Sequence, residues 1–186
     1  FLYKPYSGPS SQSNKSETML IFLSGSINSG KTTIAKLLVK ELPRTAHIEV
    51  DIIHDMYDWM PLEEAIPLNL KNTLSLTLNL LNDSLNVVIS YPLSRDEYEF
   101  FNQHLPLDVQ RFFFTLNPRI DYALSNRGER ELTEWEKDRI KFHYETGVNS
   151  PGFGITIDNT MHSPEETLSD ILYYVEQREI RYKMED

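Results

Sequence analysis

The sequence predicts a three-layer α/β fold, in which a five-stranded parallel sheet carries helices on both faces. From Met19 onwards, short segments rich in β-branched and aromatic residues alternate with longer segments of helical periodicity. Alternation of this kind is typical of βαβ units, which build parallel sheets covered by helices. The length of 186 residues is that of one domain with a substantial core.

Five strands and six helical segments follow from this alternation. We predict strands at 19–24, 46–50, 86–91, 109–116 and 154–158, and helices at 31–42, 63–85 (one or two helices), 94–104, 118–126, 133–145 and 164–178. Two helix starts carry capping boxes, Thr133 with Glu136 and Ser163 with Glu166. In the last helix, apolar residues recur at helical spacing and should face the sheet: Leu168, Ile171, Leu172 and Val175.

The composition narrows the classes of partner and compartment. Acidic residues outnumber basic ones by 28 to 18, giving a net charge of −10, which disfavours extended nucleic acid as a partner. No apolar run is long enough to cross a membrane. The absence of cysteine excludes disulfides and thiolate sites and agrees with a cytoplasmic protein. We expect residues 1–17, rich in Ser and without period, to be a disordered leader or a tag remnant, and 18–186 to form the domain.

The segment "GSINSGKT", residues 25–32, matches the phosphate-binding pattern G-x-x-x-x-G-K-[ST] between a predicted strand and a predicted helix. Glycines allow backbone N–H groups to surround a phosphate, a lysine reaches the β and γ oxygens, and a hydroxyl can ligate Mg²⁺. The alternative is an ordinary glycine-rich turn. The pattern predicts a nucleotide site formed by Gly25, Ser26, Asn28, Ser29, Gly30, Lys31, Thr32 and Thr33.

The remaining sequence favours a small phosphotransferase. It contains neither the D-x-x-G nor the N-K-x-D pattern of GTPases, and it is too short for additional ATPase modules. Over about residues 19–176 it resembles the small P-loop kinases of the nucleoside-monophosphate-kinase-like superfamily, in particular the shikimate and gluconate kinase, chloramphenicol phosphotransferase and zeta-toxin-like group. The resemblance rests on "GSINSGKTT", "HIEVDIIHDM", "LNPRIDYALSNRGERELTEWEKDRI" and "IDNTMHSPEE".

This resemblance implies strand order 2-3-1-4-5, a small lid at about 127–150, and transfer of the γ-phosphoryl group of ATP, with Mg²⁺, to a hydroxyl of a small molecule. In such kinases an acidic residue after the second strand approaches the acceptor hydroxyl or the metal, and Asp51 matches it. The metal would then rely on Thr32 and Asp51. The alternative for Asp51 is an N-cap for a helix that opens at Ile52. Asp55, one helical turn on, is a further candidate or a solvated helix residue.

Arginines are implied for the lid and polar residues for the base. Arg127 and Arg130, around a Gly128 hinge, match the lid arginines that meet the transferred phosphate, with helix-terminal surface charge as the alternative. Arg139 and Lys141 are weaker lid candidates. Asn159 and Thr160 match the segment that passes beneath adenine, although a capped loop would contain the same residues.

One departure concerns the third strand, "NVVISYPLS", which lacks the acidic residue that many P-loop NTPases carry there. Tyr91, Pro92 and Arg95 follow it at the expected substrate edge. An aromatic cluster over 57–61 could line an acceptor pocket or form a core patch. Two other functions stay open: a polynucleotide-end or toxin-type kinase, and a nucleotide-sensing domain without catalysis.

Overall fold

The computed structural model describes residues 18–126 and 131–185. Five strands form one parallel sheet in the order β2-β3-β1-β4-β5, which confirms the predicted fold class and strand order. The strands are β1 (Met19–Gly25), β2 (Thr45–Glu49), β3 (Asn86–Ser90), β4 (Gln110–Leu116) and β5 (Ile155–Ile157). The helices are α1 (Lys31–Glu41), α2 (Val50–His54), α3 (Leu62–Asn82), α4 (Arg95–His104), α5 (Ile120–Ala123), α6 (Glu134–Glu145) and α7 (Pro164–Glu185), with a 3-10 helix at Asp55–Tyr57.

The central strand β1 is buried on both sides, as expected for a parallel sheet between two helical layers. Because successive side chains of a strand point to opposite faces, Ile21 and Leu23 pack with α1 and α7, whereas Leu20 and Phe22 pack with α3 and α4. The predicted inward face of the last helix is confirmed for Leu168, Ile171 and Val175, which are buried, while Leu172 is partly buried against the same core.

Three local predictions are wrong, and all concern element ends: one is the last helix, predicted to end at 178, which continues to Glu185. Strand β2 ends at Glu49 and helix α2 already begins at Val50, so Asp51 lies within the first turn and is not the N-cap, a position that Glu49 occupies. The helix predicted at 118–126 is confined to Ile120–Ala123. Both predicted capping boxes are present, since Thr133 and Ser163 exchange hydrogen bonds with Glu136 and Glu166.

Helix α6 is joined to the loop after β1 by a buried hydrogen bond. His143 and Ser26 are both buried, and the Nδ1 atom of His143 lies 3.2 Å from the hydroxyl of Ser26. Burial, reinforced by the positive charges of Arg139 and Lys31, lowers the pKa of His143 to about 4. The ring is therefore neutral near pH 7, and α6 is fixed against the loop that the sequence assigns to phosphate binding.

No helix within residues 18–126 and 131–185 has both the length and the apolar character required to span a bilayer.

The buried His143 should make folding stability depend on pH. Its pKa is about 4 in the folded protein against an ordinary 6.5, so the unfolded chain binds the extra proton first. Stability present above pH 6.5 should therefore be lost as the pH falls towards 4, by up to about 3 kcal/mol. Urea unfolding at pH 7, 6, 5 and 4.5 measures this loss. The difference in stability between wild type and His143→Gln should shrink towards low pH.

The exposed His104 is the matched control for this experiment. His104→Gln should follow the pH dependence of the wild type. A constant difference between wild type and His143→Gln at every pH would contradict a depressed pKa at His143.

Candidate active site

A cleft of about 590 Å³ opens at the carboxyl edge of the sheet, above the loop that joins β1 to α1. In parallel α/β sheets this edge is where ligands bind, because the strands there give way to loops and helix N-termini. The floor of the cleft consists of residues from the loop and the start of α1: Ile27, Asn28, Gly30, Lys31, Thr32, Thr33 and Ile34. Gly25, Ser26 and Ser29 belong to the same loop but do not line the cleft.

The backbone of the loop favours glycine at both glycine positions of the phosphate-binding pattern. Gly25 has φ 132°, and a Cβ atom there would lie 2.4 Å from the carbonyl oxygen of Leu116. Gly30 has φ 101° and is the N-cap of α1. Asn28 is also left-handed, with φ 61°, and its side-chain amide donates to the carbonyls of Ala123 and Ser125. The loop tip is thereby held against α5 and the segment that follows it.

Lys31 is positioned over the loop by its own backbone. Its ammonium group donates to the carbonyl oxygens of Gly25 at 2.9 Å and Ser26 at 2.8 Å. The side chain therefore curls back over the loop and keeps its charge at the floor of the cleft, where it lines the cavity. A phosphate group in the loop would meet this cation together with the N-terminus of α1.

The hydroxyl of Thr32 contacts a carboxylate that the sequence reasoning missed. It donates to Oε1 of Glu49 at 2.5 Å. Glu49 is the last residue of β2 and pairs in register with Ser90 at the end of β3. Ser90 occupies the end of the strand on which many P-loop NTPases carry an acid, so the neighbouring strand supplies the carboxylate instead. The sequence did contain a signal for Glu49, because this is the last polar residue of a strand in which polar and apolar residues alternate.

Asp51 lines the same cleft from α2. Its carboxylate is solvent-accessible from the cleft but is surrounded by protein atoms. This environment raises the pKa of Asp51 above its ordinary value, and the negative charges of Glu49 and Asp55 raise it further, while Lys31 opposes them. A carboxylate with a raised pKa beside a lysine can accept a proton from a bound hydroxyl.

The strand order divides the cleft into two halves on either side of the loop. The β2–β3 half, formed by the elements that follow β2 and β3, is lined by Glu49, Asp51, His54, Asp55, Leu62, Ile66, Asn69, Ser90, Tyr91 and Pro92. The β4–β5 half, formed by α6 and the segment after β5, is lined by Trp135, Glu136, Arg139, His143, Asn159, His162, Pro164 and Thr167. Tyr91, Pro92 and Asp55 thus lie where the sequence suggested.

Among the candidate lid cations, Arg139 lies in the cleft and Lys141 does not. Arg139 is one helical turn before the buried His143, and its guanidinium stands 4.9 Å from the ring centre of Phe142. Lys141 lies outside the cleft lining and pairs with Asp138 at 3.1 Å. Arg127, Gly128 and Arg130 lie outside the described residues, so their predicted roles stay predictions.

Asn159 and Thr160 differ in their surroundings, although they are adjacent. Asn159 is buried, lines the cleft and donates through Nδ2 to the carbonyl of Ser29 at 2.9 Å. Its Oδ1 atom is buried without a hydrogen-bond partner in the described part of the chain. Thr160 does not line the cleft, because its hydroxyl donates to Asp158 and accepts from the backbone of Arg119. Its predicted contact with the base would have to come from its backbone.

Two groups that the sequence suggested for the acceptor lie elsewhere. Arg95 binds the carbonyls of Pro151 and Gly152, each at 3.1 Å, and so holds the segment before β5. None of the residues at 57–61 lines the cleft, and Trp59 is 77% exposed. Tyr57 reaches the cleft wall only through its hydrogen bond to Asn69.

Solved structures provide the comparison with known proteins, because no protein-family model and no curated protein matches the sequence. A sugar kinase from Janibacter sp. HTCC2649 is 19% identical with a TM-score of 0.67, covering 86% of this chain and 95% of that one. The APS kinase of Mycobacterium tuberculosis, solved with AMPPNP and APS, is 14% identical with a TM-score of 0.63, covering 86% and 98%. The tunicamycin resistance protein of Deinococcus radiodurans is 16% identical with a TM-score of 0.58, covering 85% and 95%.

These similarities extend over nearly the whole of each solved chain. The chain therefore shares the fold of these solved structures, two of which are kinases.

Proposed function

We propose that this protein transfers the γ-phosphoryl group of ATP to a hydroxyl group of a small molecule. The observation that carries the proposal is that Lys31, Thr32 and Asp51 line one cleft, which continues on either side of the loop. Phosphoryl transfer needs positioned cations for the phosphates and a group that orients the attacking hydroxyl. Lys31 and Asp51, which line the cleft, would supply these groups, and the neighbours of similar fold include kinases.

The two halves of the cleft have different parts in this proposal. ATP would place its phosphates in the loop and its base in the β4–β5 half, near Asn159. The acceptor would occupy the β2–β3 half, where Asp51 can accept its proton as the oxygen attacks. Arg139 extends into the cleft from α6, and its planar guanidinium suits the oxygens of the transferred group. Arg127 and Arg130 remain proposed lid arginines on the strength of the sequence.

The residues at the loop fit a divalent cation bound together with nucleotide. No group of three or more His, Asp or Glu side chains among the described residues could hold a metal ion, so a cation would depend on phosphate oxygens. Thr32 and Glu49, already in contact, offer a hydroxyl and a carboxylate of the kind that Mg²⁺ prefers. Such an ion would neutralise charge on the β and γ oxygens. Asp51, proposed from the sequence as a second ligand, is then available to the acceptor.

Replacing Lys31 tests the phosphate site. Lys31→Ala should lower turnover by about 100-fold or more, because it removes a charge that acts on the phosphate oxygens. Its folding should persist, since the ammonium group lies at the floor of the cleft, where it donates to loop carbonyls, and not in the hydrophobic core. The measurement is transfer of labelled phosphate from ATP to a panel of hydroxyl compounds, with thermal unfolding as the check of folding. A folded Lys31→Ala protein with normal turnover would refute the assignment.

Substitutions of Glu49 and of Asp51 should separate the metal dependence of the reaction from its proton transfer. Glu49→Gln should raise the Mg²⁺ concentration needed for half-maximal rate by about tenfold or more, because it weakens the oxygen ligand beside Thr32. Asp51→Asn should instead lower kcat by about 100-fold or more, with little change in the KM for ATP. Each variant is the other's control, and titration of Mg²⁺ at saturating ATP distinguishes them.

The raised pKa of Asp51 adds a pH signature to this comparison. A base works in its ionised form, so the rate should rise with pH through a pKa above that of an ordinary aspartate, and Asp51→Asn should lack this rise. Equal rates and equal pH profiles for wild type and Asp51→Asn would exclude the base.

Arg139 and Lys141 form a matched pair on one helix. Arg139→Ala should lower turnover by about tenfold or more, because it removes a cation from the cleft, whereas Lys141→Ala should leave turnover unchanged. Arg139→Lys should restore only part of the rate, since ammonium cannot form the two-pronged contact. The measurement is kcat with saturating ATP. Similar rates for the two alanine variants would remove Arg139 from the mechanism.

A further inference from the structure

The β2–β3 half of the cleft has an uneven distribution of charge. Three carboxylates, Glu49, Asp51 and Asp55, line it, and none of its lining residues in the described part of the chain is a lysine or an arginine. The lysine and the arginine that line the described cleft are Lys31 on the floor, whose charge acts on Asp51, and Arg139 on α6, whose charge acts on Tyr91. In the proposed reaction both cations face the phosphates of ATP and Glu49 faces the metal, so an anionic acceptor would meet Asp51 and Asp55, of which Asp55 has neither a metal role nor a base role.

A second feature of this half is the side-chain amide of Asn69. Asn69, on α3, is only 4% exposed and lines the cleft. Its Oδ1 atom accepts from the hydroxyl of Tyr57 at 2.5 Å, and that hydroxyl oxygen accepts from Nδ2 of Asn72 at 3.2 Å. Because Tyr57 has one proton to donate, this chain of hydrogen bonds fixes the direction of the Asn69 amide.

The Nδ2 atom of Asn69 is consequently the amide atom that can donate to a ligand. It has no hydrogen-bond partner among the described residues, although the side chain is nearly buried. This nitrogen is accessible from the cleft, so a ligand oxygen can accept from it in place of water. Leu62 and Ile66 line the cleft from the same face of α3, two turns and one turn before Asn69 respectively. The wall opposite the carboxylates thus combines an apolar surface with one directed N–H donor.

We propose that the acceptor is an uncharged or amine-bearing polyhydroxy compound of the sugar or amino-sugar class, and that acceptors carrying phosphate or carboxylate groups are rejected. This inference rests on the proposed kinase function and narrows its acceptor. Hydroxyl oxygens of such a compound accept from Asn69 and donate to the carboxylates, and its C–H face packs on Leu62 and Ile66. An amine would pair with Asp55, whereas a phosphate would be repelled by it.

Acceptors that differ only in charge test the proposal. One series is glucose, glucosamine, gluconate and glucose 6-phosphate, and a second is a nucleoside with its 5′-monophosphate, each assayed for transfer of labelled phosphate from ATP with Mg²⁺. Within a series the neutral or aminated member should exceed the anionic one at least tenfold in kcat/KM. A higher kcat/KM for gluconate or for either phosphate would overturn the acceptor class while supporting the kinase function.

Absence of transfer to every compound, in a protein that a nonhydrolysable ATP analogue stabilises against heat, would instead contradict the kinase function and this inference with it. The two failures are therefore distinguishable.

Charge variants test the stated cause of the discrimination. Asp55→Asn should reduce the preference for the neutral member over the anionic one by severalfold, because it removes the negative charge that faces the acceptor. Asp58→Asn makes the same change in net charge on an exposed residue three positions on, outside the cleft lining, and should leave the preference unchanged. Equal preferences in the two variants would overturn the electrostatic explanation.

Asn69→Asp tests the directed donor. It preserves the shape and the oxygen that accepts from Tyr57, but it replaces the N–H donor with a second acceptor. The KM for the acceptor should rise at least tenfold with the KM for ATP unchanged, whereas Asn79→Asp, on an exposed position of α3, should change neither. An unchanged KM for the acceptor in Asn69→Asp, with thermal unfolding showing a folded protein, would contradict the role of Asn69.

Discussion

The arrangement of the site depends on the complete burial of β1 between two helical layers. Because both faces of this strand are covered, its chain can reach solvent only at the ends, and its carboxyl end opens directly into the phosphate loop. The strand order places β2 and β3 on one side of that loop and β4 and β5 on the other. Each half of the cleft therefore receives side chains from the segments that follow a different pair of strands, and the loop lies between them.

This strand order allows a carboxylate beside Thr32 to come from the end of β2 or from the end of β3. Strand β3 ends in Ser90, whose hydroxyl is engaged with His47 at 2.8 Å. Glu49 is the register partner of Ser90 and reaches Thr32 directly. Neighbouring parallel strands are about 5 Å apart, a distance that the longer glutamate side chain can span. A carboxylate from β2 therefore lies beside Thr32, whereas β3 carries no acid.

The sequence was sufficient for the fold and for the loop, because both are encoded locally. The glycine positions and the lysine follow each other within eight residues, and the alternation of strands and helices is strong enough to survive errors at element ends. The strand order came from the resemblance to P-loop kinases, since periodicity alone does not specify which strands are neighbours. The end of β2 was predicted one residue too late, which placed Asp51 directly after the strand and left Glu49 inside it.

The residues that escaped prediction are those whose role depends on contacts between distant segments. His143 is one of several histidines in the sequence, and only its pairing with Ser26, 117 positions earlier, makes it part of the loop's support. Asn69 is similarly an ordinary helix residue until Tyr57 fixes its amide. Arg139 could have been placed on the same helical face as His143 by their spacing of four, but the periodicity does not reveal which face meets the cleft.

Lys31 illustrates how the loop can hold a cation before any phosphate is present. A lysine in a cleft with a carboxylate nearby could form an ion pair, but here its ammonium donates to the carbonyls of Gly25 and Ser26. Carbonyl oxygens are neutral acceptors, so a phosphate, whose charge strengthens each hydrogen bond, can compete for those donors more readily than for donors already paired with a carboxylate. The loop therefore holds a positive charge whose hydrogen bonds to the carbonyls a phosphate can take over.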